Sequence, residues 1–196
     1  MSDEEWDLYL QCAVCGQVEP SATMRLAAIC PDHIRGQGLL YRIRRTSPQE
    51  KDRIRDLNQR LWGETEIHTY GREWDVGDID ALLAESDGQA IGFASFAEID
   101  EAILLVSLGV EPCFQRCGVG KALMDAVERE ARAAGKKRVV LSTTNDNLPA
   151  LAFYQRLGYR LVQLLAGEEV AHHGRVYTGV GSLPILDEIR LAKELE

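Results

Sequence analysis

One stretch limits what this chain can fold into more than any other. An apolar run, Ala102 to Val110, leads into Gln115-Arg116-Cys117-Gly118-Val119-Gly120, and an amphipathic helical pattern starts at Gly120. The order is strand, tight glycine loop, helix. Two glycines separated by one residue let the backbone approach a large anion without intervening side chains, and the N–H groups of the first helical turn point at it. The stretch is a candidate pyrophosphate cradle. Ordinary strand-to-helix turns also carry glycines, so the reading rests on residues further along the chain.

After the helix and its stop at Gly135, Arg138-Val139-Val140-Leu141-Ser142-Thr143-Thr144 reads as a second strand, rich in β-branched residues. Asn147 then stands at a helix N-cap, Pro149 falls in the first turn, and Gly158 ends that helix before a third strand from Tyr159 to Leu165. These residues resemble the GNAT superfamily of acyl-CoA-dependent N-acyltransferases. Gln115, Gly118 and Gly120 match its Gln/Arg-x-x-Gly-x-Gly/Ala signature, and Asn147, Ala150, Tyr154, Gly158 and Tyr159 match Asn-x-x-Ala-x-x-x-Tyr-x-x-x-Gly-aromatic. The implied fold class is α/β (α+β), a mixed, mostly antiparallel central sheet flanked by helices.

The resemblance also implies a site. The strand before the loop splays from the next one, and its free backbone at Leu108, Gly109 and Val110 pairs with pantetheine; Gly109 suits a bulge at the splay. The amides of Gln115, Arg116, Cys117, Gly118, Val119, Gly120 and Lys121 hold the pyrophosphate of acetyl-CoA, and Asn147 hydrogen-bonds the pantetheine arm. Tyr154 faces the sulfur as general acid, since a phenol of ordinary pKa about 10 carries its proton at neutral pH. A general base is harder to find. Family members often have a glutamate on the strand before the loop, but Ala102-Ile103-Leu104-Leu105-Val106-Ser107-Leu108 contains no carboxylate. Glu98, Asp100 and Glu101 at the preceding hairpin are substitutes acting through water, and His68, His172 and His173 are candidate relays, the last two in a polar, exposed loop.

The N-terminus carries a different pattern. Cys12-Ala13-Val14-Cys15-Gly16 and Cys30-Pro31-Asp32-His33 form a Cys-x-x-Cys and a Cys-x-x-His pair, the ligand types and spacing of tetrahedral structural zinc. With Cys12, Cys15, Cys30 and His33 filling the coordination shell, no position is left for catalysis, and residues 1–38 are expected to form a zinc ribbon or knuckle ahead of an acetyltransferase domain at residues 39–196. Gly36-Gln37-Gly38 is the joint. Cys113 and Cys117 read as small, partly buried side chains.

A chain of 196 residues, 45% hydrophobic, buries one good core and a small appendage. No uncharged run approaches the ~18 residues of a membrane span, and Asp3, Glu4, Glu5 and Asp7 replace the positive charge of a secretory leader, so a cytoplasmic location is expected. A net charge of −9 argues against nonspecific nucleic-acid binding and is compatible with a cationic amine acceptor. Arginines and lysines crowd the stretch from Arg35 to Arg60, which reads as a solvated face. Tyr41 to Thr46 is a first strand, Ser47-Pro48-Gln49-Glu50 caps a helix burying Ile54, Leu57 and Leu61, and Asp87-Gly88 turns a hairpin. Gly63 to Val76 carries no clear pattern, and the segment from Gly181 to Leu195 is expected to end in a strand and a tail helix that serve a homodimer. The expected activity is transfer of an acetyl group from acetyl-CoA to a primary amine. The competing readings are a non-catalytic acyl-CoA sensor and a zinc-mediated interaction or nucleic-acid-binding protein.

Overall fold

The computed structural model describes Tyr9–Gln11, Val18–Pro20 and residues 41–195. The four expected zinc ligands and the joint at Gly36-Gln37-Gly38 lie outside the described residues. Tyr9–Gln11 (β1) and Val18–Pro20 (β2) pair antiparallel.

The rest is organised by one seven-stranded sheet. In chain order its surroundings run Arg42–Arg45 (β3), Lys51–Trp62 (α1), a hairpin of Glu66–Thr69 (β4) and Arg72–Asp75 (β5), Asp80–Ser86 (β6), Gln89–Ile99 (β7) and Ala102–Val110 (β8). Val119–Ala133 (α2), Arg138–Thr144 (β9), Leu148–Arg156 (α3), Arg160–Leu165 (β10), Glu168–His173 (α4), the short pair Tyr177–Thr178 (β11) and Pro184–Ile185 (β12), and Glu188–Glu194 (β13) complete the chain. Across the sheet the order is β10-β13-β9-β8-β7-β6-β3, with only β8 and β9 parallel. The expected mixed, mostly antiparallel sheet flanked by helices is what the chain forms.

Alternation along the strands divides the core between the two faces. Leu82, Ala84, Ile103 and Leu105 pack with Leu123, Met124 and Val127 of α2, whereas Ala81, Leu83, Leu104 and Val106 pack with Ile54 and Leu57 of α1. Each such side chain, fully buried, stabilises the fold by about 1.5–3 kcal/mol. The phase changes once within β8. Ser95 lies opposite Ser107 but Phe96 lies opposite Leu105, so Val106 is an inserted residue, and Leu108 and Val110 return to the α2 face that Ile103 and Leu105 occupy.

That bulge positions the site. Parallel pairing of β8 with β9 runs from Ala102 opposite Arg138 to Leu105 opposite Leu141 and stops there, one residue before the bulge. Beyond it β8 pairs only with β7, and a cleft opens between the strands. The bulge is therefore at Val106 and not at Gly109, which pairs regularly with Phe93. Gly109 is glycine for a different reason: a Cβ there would sit 2.6 Å from both Leu61 and Phe93.

Two other expectations are corrected. The tail is not a helix, because β13 inserts between β9 and β10, with Glu188 opposite Thr144 and Ala192 opposite Arg160. Its charges are tolerated inside a sheet because they are paired: Glu188 accepts from Arg190 Nε at 2.7 Å, and Lys193 Nζ reaches the buried Glu128 at 2.7 Å. The basic stretch is not simply a solvated face. Arg42, Arg44 and Arg53 converge on the carboxylate of Glu85, whose side chain is 5% exposed, and Arg44 also holds Glu50.

Candidate active site

A cavity of about 1590 Å³ fills the cleft between the splayed strands. Its loop end is built mainly from backbone. Leu108 and Val110 line it on the free side of β8, followed by Gln115, Arg116, Gly118, Gly120 and Lys121. Gln115 folds back so that its Nε2 donates to the Val110 carbonyl at 3.1 Å, which fixes the exit of the strand. Arg116 (φ 64°) and Gly118 (φ 85°) are left-handed, and Gly118 is the residue that caps the N-terminus of α2. The first-turn N–H groups of α2 have no carbonyl one turn earlier in the helix to meet, and the helix dipole adds partial positive charge there. A phosphate fits this end. Val119 is instead buried in the core, and Cys117 packs against it, so these two offer main chain only.

Asn147 caps α3, accepting from the Ala150 N–H at 3.2 Å through its Oδ1, and its amide nitrogen keeps two donors for the cavity that it lines. Its two neighbours hold the C-terminal segment. Asn145 accepts from the N–H groups of Leu186 and Asp187, and the buried Asp146 accepts from Val180 N–H at 2.8 Å. Tyr154 lines the same cavity at 8% exposure, edge-on to Phe153 and Tyr159. Burial pushes its hydroxyl well above the ordinary phenol range.

The other end is built from side chains. Glu64, Glu66, His68 and Glu73, from the approach to β4 and its hairpin with β5, meet Glu169, His172 and His173 of α4. His68 Nδ1 is 2.9 Å from Glu73 Oε1, and His172 Nε2 is 3.6 Å from the same oxygen. The rings of His68 and His172 stack with centroids 4.0 Å apart. Burial and then the Glu73 charge raise the Glu64 carboxyl, burial and then Glu188 raise that of Glu169, and burial and then His172 lower His173. The scaffold under this end is polar and specific. Buried Asn58 accepts from Ser107 Oγ at 2.6 Å and donates to the Glu64 carbonyl at 2.7 Å, and Thr69 meets Ser142 at 2.6 Å, joining β4 to β9.

The acetyltransferase (GNAT) family profile matches residues 49–159, a span running from α1 to the end of α3. The chain belongs to the GNAT acetyltransferase family. The uncharacterized protein YxbD of Bacillus subtilis strain 168 is 30% identical over 151 residues, covering 74% of this chain and 94% of that protein. The peptidyl-lysine N-acetyltransferase YiaC of Escherichia coli K12 is 30% identical over 141 residues, covering 68% and 88%. Among solved structures, a Bacillus subtilis acetyltransferase in complex with CoA superposes with a TM-score of 0.66 at 17% identity, covering 80% of this chain and all of that one, a likeness of fold. Family membership favours an enzyme over a sensor or an interaction module. Among the described residues, no helix is long and apolar enough to cross a membrane.

For this GNAT acetyltransferase, the cavity gathers Leu108, Val110, Gln115, Arg116, Gly118, Gly120, Lys121, Asn147 and Tyr154 from the expected set. Gly109 packs beneath Leu61 and Phe93. The carboxylates expected to substitute for the missing glutamate are elsewhere: Glu98 pairs with Lys136 and Glu101 with Lys137, and neither they nor Asp100 line the cavity. His172 and His173 belong to a short helix on the cavity wall and not to a polar loop. Glu64, Glu66, Glu73 and Glu169 were missed by sequence reasoning. No spacing joins them, and the Tyr70-Gly71 turn between β4 and β5 lacks the Asn-Gly or Asp-Gly pair that marks such a turn in a sequence.

Proposed function

We propose that the chain is an acetyl-CoA-dependent N-acetyltransferase acting on a primary amine of a small molecule or a protein, with Tyr154 as general acid to the departing thiolate. The observation that carries this reading is the opening of β8 from β9 at the Val106 bulge, directly beside the glycine loop, with Tyr154 in the same cavity. In this reading the free edge at Leu108, Gly109 and Val110 takes the pantetheine amides, and Asn147 donates to the same arm. The main chain from Gln115 to Lys121 cradles the pyrophosphate.

The amine attacks the thioester carbon, the carbonyl oxygen takes the electron pair, and collapse breaks the carbon–sulfur bond. Tyr154 gives its proton to sulfur and regains one from the amine nitrogen. The carboxylates at the histidine end support a cationic acceptor, and a lysine side chain of a protein is such a cation, in keeping with the relative named as a peptidyl-lysine N-acetyltransferase. Incubation of the full chain with acetyl-CoA and a panel of amines, following free thiol release, tests the reading. Release dependent on one class of amine supports it, while no heat signal and no thermal shift with acetyl-CoA removes it.

Residues 1–38 are proposed as a zinc module with Cys12, Cys15, Cys30 and His33 as ligands, joined to a catalytic domain at residues 39–196. Support comes from the ligand types and their spacing in the sequence. Metal analysis of protein purified without chelator is expected to give about one zinc per chain, and a content far below that overturns the module.

A further inference from the structure

An aliphatic ammonium cannot attack a thioester until it loses a proton, and β8 offers no carboxylate to take it. The histidine end of the cavity contains a group suited to that task. We propose that His68 is the general base of the transfer and Glu73 its positioning residue, an assignment that rests on the acetyl-transfer reading.

Its placement is the first reason. Ser142 is the first residue of β9 beyond the last β8–β9 pair, where the cleft opens, and its hydroxyl lies 2.6 Å from that of Thr69. His68 precedes Thr69 on β4, so a strand fastened at the opening of the splay carries it into the cavity wall. Its tautomer is the second. Glu73 accepts from Nδ1–H at 2.9 Å, which leaves the lone pair on Nε2. His172 is less well placed: its Nε2 stands 3.6 Å from the same carboxylate, outside hydrogen-bond reach, on a helix of six residues.

Carboxylates crowd this wall of the cavity. Glu73 faces His68 from β5 and Glu169 from α4, with Glu64 and Glu66 on the same wall and Glu188 of β13 behind Glu169. His172 and His173 of α4 line the same wall.

The step balances simply. His68 Nε2 takes one proton from the ammonium, the freed nitrogen pair forms the bond to the carbonyl carbon, and the carbon–sulfur bond breaks. Sulfur receives the Tyr154 proton, the second amine proton restores the phenol, and the proton on His68 passes to solvent. Acetyl amide and free thiol result, with one proton released.

The test is a pH series of kcat/KM with acetyl-CoA and an amine accepted by the wild-type protein. His68→Gln is expected to lower turnover about 100- to 10,000-fold. The acid limb set by the imidazole disappears, activity rises with pH as the ammonium loses its proton to solvent, and the thermal shift given by CoA is unchanged. In Glu73→Ala, where nothing holds Nδ1–H, kcat falls while the thermal shift given by CoA is unchanged, and added imidazole restores part of the activity of His68→Ala. Retention of wild-type turnover and acid limb in His68→Gln overturns the assignment, as does a loss found in His172→Gln and absent from His68→Gln. A wild-type protein that binds CoA but acetylates no amine removes the acetyl-transfer reading and this base with it, a result distinct from an active wild type with an indifferent His68→Gln.

Discussion

The loop end of the cavity is made of backbone, and the histidine end of side chains. At the loop end the groups that face a ligand come from one continuous stretch, β8 through α3, in which a bulge, two left-handed residues and two helix N-termini aim main-chain donors. At the other end seven titratable side chains come from two segments about a hundred residues apart in the chain. The difference matches the chemistry proposed for each. Acetyl-CoA is invariant, so binding through main-chain geometry serves every member of a fold. An acceptor varies, and side chains vary without disturbing the frame.

The largest effect that separates the ends is expected from Tyr154→Phe. The change removes one oxygen from a buried ring packed against Phe153 and Tyr159, so folding and coenzyme affinity should persist while turnover falls by about 100-fold or more. Steady-state kinetics beside CoA titration checks this. Parallel losses in turnover and CoA affinity would move Tyr154 from chemistry to packing.

A smaller loss, confined to the loop end, is expected from Gly118→Val. A β-branched residue at φ 85° costs about 1–2 kcal/mol of backbone strain, enough to weaken acetyl-CoA about tenfold. No atom lies within 4 Å of the added Cβ, so the strain is not compounded by a clash. The KM for the amine should stay within twofold, about 0.4 kcal/mol. If the amine KM rises equally, the two ends are not independent.

The same contrast explains what could be read in the sequence. Bending backbone around an anion demands glycine, a cap residue and a fixed order of strand, loop and helix, and these leave marks at fixed spacing. Arg138–Thr144 has the expected bounds, Asn147 is an N-cap, and Gly158 is left-handed at φ 91°. The histidine end leaves no such mark. Glu64 and Glu169 meet only after α4 packs beside the β4–β5 hairpin, and that hairpin is too polar and too exposed for alternation to reveal it. The tail departs from its expected helix for a related reason. Charges at Glu188, Arg190 and Lys193 resemble an exposed helical face, and only the partners supplied by the fold, Glu128 among them, make a strand there tenable.

The smallest effect, opposite in sign for folding and for binding, is expected from Glu64→Gln. Burial and the neighbouring Glu73 raise this carboxyl, so the charged form is disfavoured in the folded protein. The penalty is present at high pH, where the folded protein must hold the charge, and it is relieved as pH falls below the raised value. An uncharged amide avoids it, and the variant should melt about 1–3 °C higher than the parent at neutral pH, with the gap closing toward acid. Glu64 also lines the cavity where a cationic acceptor is proposed to sit, so the same change should raise the amine KM about two- to fivefold, leaving acetyl-CoA affinity alone. A carboxylate kept at a cost to the fold, at the end where charge recognises the acceptor, is what a site selected for binding contains. Calorimetric melting across pH, with kinetics at two acceptor charges, measures both signs. An unchanged KM with a neutral acceptor and a raised one with a cation ties the cost to recognition, whereas a lower melting point would make Glu64 a structural residue and shift acceptor recognition to Glu73 and Glu169.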